Sequence, residues 1–134
     1  MTQEEIRAIP AAAVQIHKHL DRLKFLKAKS TSVPAMQTSE RVQTSVIDRS
    51  MVVADSIVDL EREIDTEKKE LDRMRKSASQ FFASHDLTLE ERELLDYRYI
   101  YCYTWEEVAS LLHVGERTAR WRHSQVMEKL FPES

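Results

Sequence analysis

The stretch Thr104–Leu130, TWEEVASLLHVGERTARWRHSQVMEKL, decides the fold, because it packs two helix starts and one tight turn into a short span. Thr104 followed by Glu107 has the spacing of a capping box, in which the hydroxyl and the carboxylate each satisfy the other residue's free backbone amide. Tyr103 and Val108 flank that cap at the spacing of a hydrophobic staple. The helix they open is about two turns long, with Val108, Ala109 and Leu112 on one face. His113, Val114 and Gly115 follow, and Gly115 is the only glycine of the chain, placed where a tight interhelical turn calls for a permissive residue. A second helix then begins, with Ala119, Val126, Met127 and Leu130 as its expected buried side. Its opening turns carry Glu116, Arg117, Thr118, Arg120, Trp121, Arg122 and His123. That is a helix-turn-helix whose second helix offers polar side chains of the kind a major groove can meet.

The totals suit such a reading. At 134 residues the chain can hold one compact domain, or a small domain with a helical arm. One Gly and three Pro leave little material for hairpins, so the expected class is all-α. Cys102 is alone, which excludes an intrachain disulfide and fits a reducing cytoplasm. No apolar run approaches the ~20 residues of a membrane span, and no secretory leader is expected. The net charge of −3 counts mildly against nucleic acid, since DNA affinity leans on neutralised phosphates. The distribution softens this. Glu116–His123 holds three Arg against one Glu, and His17–Lys29 holds Lys18, Arg22, Lys24, Lys27 and Lys29 against Asp21 alone.

Upstream, residues 1–83 read as a helical arm. Ala13, Ile16, Leu20 and Leu23 fall at three- and four-residue steps and predict a helix over about 11–27. Residues 28–45, with Pro34 and several Ser and Thr, read as a connector. A long helix is predicted over about 46–82, with a seam of Val53, Ile57, Leu60, Ile64, Leu71, Met74, Ala78 and Phe81 broken only at Glu67. Such a helix, on the order of 50 Å long, needs a partner surface. A homodimer through this helix is the favoured arrangement, and an intrachain hairpin is the alternative. Ser84, His85 and Asp86 make a break, after which Thr88 and Glu91 form another capping box and open the helix LEERELLDYRYIYCY. Residues 86–134 are therefore expected to form a three-helix unit with its own small core, in which Trp105 begins the middle helix.

The run Leu87–Leu130, LTLEERELLDYRYIYCYTWEEVASLLHVGERTARWRHSQVMEKL, resembles region four of bacterial sigma factors, the part that reads the upstream promoter element. The features that carry the likeness are the Glu-Arg pair after the cap, Arg98-Tyr99, the Trp-Glu-Glu-Val-Ala core of the middle helix and the Arg-rich third helix. With a helical arm and the phrase RVQTS at Arg41–Ser45, the chain is similar to phage-encoded sigma-like late-gene activators of the RinA and ArpU type. There are departures. His113 stands where such turns usually have Gly, although His tolerates left-handed geometry. Gly115 stands where Ser or Thr often caps, and Arg122 where an apolar residue is common. The resemblance implies a sequence-specific activator that binds double-stranded promoter DNA and works with bacterial RNA polymerase.

On that reading Glu116, Arg117, Arg120 and Trp121 are the candidate base readers, since Arg can donate bidentately to guanine. Thr104, Thr118, Arg122 and His123 are the candidate phosphate contacts. Simpler roles stand beside these: Arg117 and Arg120 as solvated surface, Glu116 as a complement to the helix dipole, Thr104 as a cap alone. Tyr97, Tyr101 and Tyr103 are candidates for an exposed protein-contact patch, because alternate positions on a helix cannot all be buried. No metal site is expected: His17 and His19 are two apart on a helix and point to different faces. No cofactor loop, nucleophile elbow or acid–base pair is present, so no enzymatic activity is expected. The alternatives are a coiled-coil adaptor that binds polymerase or another regulator, and a DNA-packaging subunit of the small-terminase kind.

Overall fold

The computed structural model describes residues 1–31 and 40–133, and within them every regular element is helical. The chain is all-α. Helix α1 runs Gln3–Thr31, α2 Glu40–Ala83, α3 Leu89–Leu95, α4 Trp105–Leu112 and α5 Glu116–Leu130, with a π-helical turn, Asp96–Ile100, after α3. Among the described residues no helix is long and apolar enough to cross a membrane.

Helix α1 begins well before the expected residue 11, and Pro10 lies inside it. Thr2 Oγ1 accepts from the Glu5 backbone N–H at 3.2 Å, and Glu4 and Glu5 sit in the first turn, where negative charge is favoured. An interior proline costs about 3 kcal/mol. Ile6 and Ile9 are fully buried, and such burial is worth roughly 1.5–3 kcal/mol for each side chain. The burial outweighs the break. At its other end α1 reaches Thr31, and α2 starts at Glu40, so the phrase RVQTS belongs to α2 rather than to the connector. Residues 32–39 of the expected connector lie outside the described ones.

The described chain forms two compact units, Val14–Lys69 and Met1–Ala13 with Glu70–Ser134, a division that places the first turns of α1 and the last of α2 with the C-terminal helices. In the first unit α1 and α2 run antiparallel. His19 Nδ1 meets Glu67 Oε1 at 2.6 Å and Lys27 Nζ meets Glu61 Oε1 at 3.5 Å, so rising numbers on α1 match falling numbers on α2. Ile16, Leu60 and Ile64 are buried between them.

In the second unit the α2 seam continues through Leu71 and Ala78 but ends on Phe82, not Phe81. Steps of seven and eleven are the drift of a straight helix away from a heptad repeat, which accounts for the shift by one residue. Phe81 instead stacks on Phe131, with ring centroids 5.4 Å apart. Leu94 and Leu95 of α3, Val108 and Ala109 of α4, and Ala119, Val126, Met127 and Leu130 of α5 complete the core.

Both capping boxes form. The Thr88 N–H donates to Glu91 Oε1 at 2.8 Å and the Thr104 N–H donates to Glu107 Oε1 at 3.1 Å, with the reciprocal bonds also present. The segment between them is not the continuous α-helix that its sequence predicts. After Leu95 the backbone widens: the Tyr101 N–H donates to Asp96 O five residues back, at 2.9 Å, and Cys102 takes a left-handed φ of 56°. The extra residue per turn aims Tyr99 into the core at 2% exposure, leaving Tyr97, Tyr101 and Tyr103 clustered outside.

Candidate nucleic-acid interface

The turn between α4 and α5 differs from expectation in which residue does the turning. His113 adopts the left-handed conformation, φ 57° and ψ 41°. The His113 N–H donates to Ser110 O and the Val114 N–H to Ala109 O, a Schellman closure of α4. Gly115 is extended at φ −73° and caps α5 without a side chain; a Cβ there would meet nothing within 4 Å. The permissive residue of this turn is therefore His113, and the backbone of Gly115 is one that any residue can adopt.

With Ala119 and Val126 facing inward, α5 turns Glu116, Arg117, Thr118, Arg120, Trp121 and Arg122 toward solvent. Trp121 is 62% exposed, an unusual state for the largest side chain in a small domain. Arg117 extends from the second position of α5 with no ion pair among the described residues. Arg120 is more constrained: its Nη2 donates to Glu116 Oε1 at 3.0 Å, and its guanidinium lies over the Trp105 ring, 5.4 Å from the centroid. Glu116 is thereby occupied in orienting Arg120. Thr104 is exposed, with its hydroxyl accepting the cap bond from Glu107. Arg122 lines a groove of about 570 Å³ with Glu90, Glu91 and Glu93, so a phosphate there would face three carboxylates.

His123 lies on the inner side of α5. Its Nε2 is hydrogen-bonded to the Tyr99 hydroxyl, and its ring meets Trp105 edge-on at 4.8 Å. Burial, followed by the charges of Arg7 and Arg98, pushes its pKa down to about 4, and burial pushes the Tyr99 hydroxyl up to about 12. The imidazole is neutral at pH 7, so any phosphate contact it makes carries no charge.

Two arginines that the sequence reading did not select join this side of the domain. Arg98, on the π-helical turn, donates from Nη1 to Tyr103 O at 2.8 Å and lies 4.8 Å from the Trp105 centroid. Burial, and then the neighbouring charge of Arg120, hold it below the usual guanidinium range. Arg7, on the first turns of α1, lines the same concavity. The Arg98-Tyr99 pair was visible in the sequence as part of a family likeness, but nothing local points to Arg7, which is more than ninety positions away.

Tyrosines 97, 101 and 103 cluster at centroid distances of 5.7–6.4 Å, with Tyr101 and Tyr103 stacked, Tyr97 tilted against both, and Tyr101 58% exposed. In the helical hairpin His19, Glu63 and Glu67 bring three possible metal-ligand atoms within 4.8 Å of one another. Both nitrogens of His19 are already engaged, Nδ1 by Glu67 and Nε2 by the Gln15 amide at 3.1 Å, which fits a structural cross-link. His17, exposed on the same helix, takes no part. The sequence matches no protein-family model, no curated protein and no solved structure.

Proposed function

We propose that the chain is a sequence-specific DNA-binding activator, reading duplex promoter DNA through α5 and acting with bacterial RNA polymerase on late genes of a phage. The observation that carries this reading is the geometry of α4, turn and α5: a short capped helix, a three-residue turn, and a second helix with Arg117 and Trp121 exposed on its first two turns. Arg117 is the foremost base reader, because its guanidinium is free to present two donors to guanine O6 and N7. Arg120, tied to Glu116 and Trp105, is better suited to a fixed contact with the backbone. The role of polymerase rests on the likeness to sigma region four, and the cluster of the exposed Tyr101 with the half-buried Tyr97 and Tyr103 is the surface we assign to that contact.

The helical hairpin leaves Val14, Phe25, Met51, Val52 and Val58 at 46–65% exposure, and we assign this apolar surface to a second copy of the chain. A two-fold dimer would present two α5 helices to half-sites spaced by a helical turn of DNA or a multiple of it.

Selection of bound fragments from the source genome, run with the wild type and with Arg117→Ala/Trp121→Ala, tests the reading. One enriched promoter-proximal sequence that the variant no longer selects is the expected result. Equal enrichment by both proteins, or none by either, would overturn it.

A further inference from the structure

The concavity beneath α5 has a composition that DNA reading by its outer face does not use. Arg7, Pro10, Arg98, Tyr99, Trp105, Arg120 and His123 enclose about 370 Å³, with three guanidinium groups and no carboxylate in the lining. Arg7 and Arg98 have no ion-pair partner among the described residues, and Arg120 is paired only to Glu116 on its own helix. In a chain of net charge −3, three like charges converging on one pocket are a repulsive arrangement that an anion would relieve. Trp105 forms the floor, with Arg98 and Arg120 both over its ring, so the two guanidinium planes are held in place before anything binds.

From this arrangement we infer that the pocket is a phosphate-binding site, in which Arg7, Arg98 and Arg120 grip a phosphoryl group carried by the DNA backbone or by a free phosphate-bearing ligand. The planar guanidinium fork matches two phosphate oxygens, which makes Arg the side chain of choice for such a clamp. His123, held neutral by burial and by Arg7 and Arg98, adds no like charge of its own. Arg7 is the residue that makes the site more than a side of the helix-turn-helix, because it brings the first turns of α1 to the same ligand. The DNA form of this inference rests on the function proposed above; the free-ligand form does not.

The test uses the full chain, with Trp121→Phe in the pyrophosphate arm alone to leave Trp105 as the sole tryptophan reporter, and with Trp121 retained in the DNA arm. Pyrophosphate is titrated at constant ionic strength, and in a second arm a DNA duplex is titrated over a range of salt. Arg7→Gln is compared with the parent in both arms, and Arg7→Lys with both. Arg7 is exposed, so its replacement leaves the core intact, which circular dichroism verifies. We expect a saturable change in Trp105 fluorescence with pyrophosphate, weakened about tenfold or more by Arg7→Gln and partly restored by Arg7→Lys. If the phosphate is that of DNA, Arg7→Gln also lowers the slope of log K against log salt by about 0.9. A loss in the pyrophosphate arm alone assigns a free ligand, and a loss in the DNA arm alone assigns the backbone. No Arg7 dependence in either arm overturns the site. Wild-type chain that binds pyrophosphate through Arg7 but no DNA would refute the DNA-binding function and leave the pocket standing.

Discussion

His19 Nδ1 lies 2.6 Å from Glu67 Oε1, at the one position where the apolar seam of α2 is interrupted. The polar residue in the seam is thus answered by a polar residue on the facing helix. Both side chains are only 17–25% exposed, so neither is well solvated without the other. Glu67→Leu alone should destabilise the hairpin by about 1–3 kcal/mol, because His19 is left without its partner. The double variant His19→Leu/Glu67→Leu should recover that loss or exceed the wild type. Urea unfolding of the four proteins of the cycle measures it; additive single effects would show that the pair is not coupled.

The turn of the helix-turn-helix makes a second prediction. A non-glycine residue in left-handed geometry carries a strain of about 1 kcal/mol, so His113→Gly should stabilise and the β-branched His113→Val should destabilise. Gly115→Ser should also stabilise, by roughly 0.5–1 kcal/mol, since it adds a capping hydroxyl and removes freedom from the unfolded chain. Denaturation midpoints at constant m-value report these changes. A loss of stability in Gly115→Ser would mean that the residue needs to be glycine after all.

Acid should weaken the fold in a defined window. The His123 imidazole takes up a proton near pH 6.5 when unfolded but only near pH 4 when folded. Between those values the unfolded chain binds more protons, so stability is full above pH 6.5 and falls as the pH falls toward 4. The loss attributable to this group is on the order of 3 kcal/mol. His123→Gln, which can still bond the Tyr99 hydroxyl, should remove this component. The carboxyl of Glu91 is held below its usual range, chiefly by the Thr88 backbone N–H, so its contribution is lost only as the pH falls further, below about 4.5. A stability profile of His123→Gln that tracks the wild type from pH 7 to 4.5 would contradict the assignment.

The exposed apolar surface of the hairpin predicts a dimer in solution. Sedimentation equilibrium of the full chain should give twice the monomer mass, and Phe25→Asp/Val52→Asp should shift it to monomer without loss of helix. A monomeric wild type at tens of micromolar would show that the hairpin is sufficient by itself.

Much of this fold was legible because its signals are local. Thr88 with Glu91 and Thr104 with Glu107 are four-residue patterns whose bonds lie within the pattern, and they form as their spacing predicts. The inward residues of α5 follow from its period alone. What escaped were features set by distant packing. Pro10 argues locally against a helix, and only the burial of Ile6 and Ile9 keeps α1 intact across it. The π-helical turn has no period of its own; it exists because Tyr99 must reach the core while Arg98 reaches Trp105. The answer to Glu67 comes from α1, and the pocket under α5 draws one arginine from Arg7, so neither could be read from adjacent residues.

The proposed function has α5 reading bases in the major groove through Arg117. Methylation interference at guanine N7 on the selected DNA site tests it most directly, because the modified atom is the one an arginine fork would engage. The wild type should show interference at one or two guanines in each half-site, and Arg117→Ala should lose interference at those guanines along with ~1–3 kcal/mol of discrimination. Wild type and Arg117→Ala giving the same pattern of interference would contradict the account.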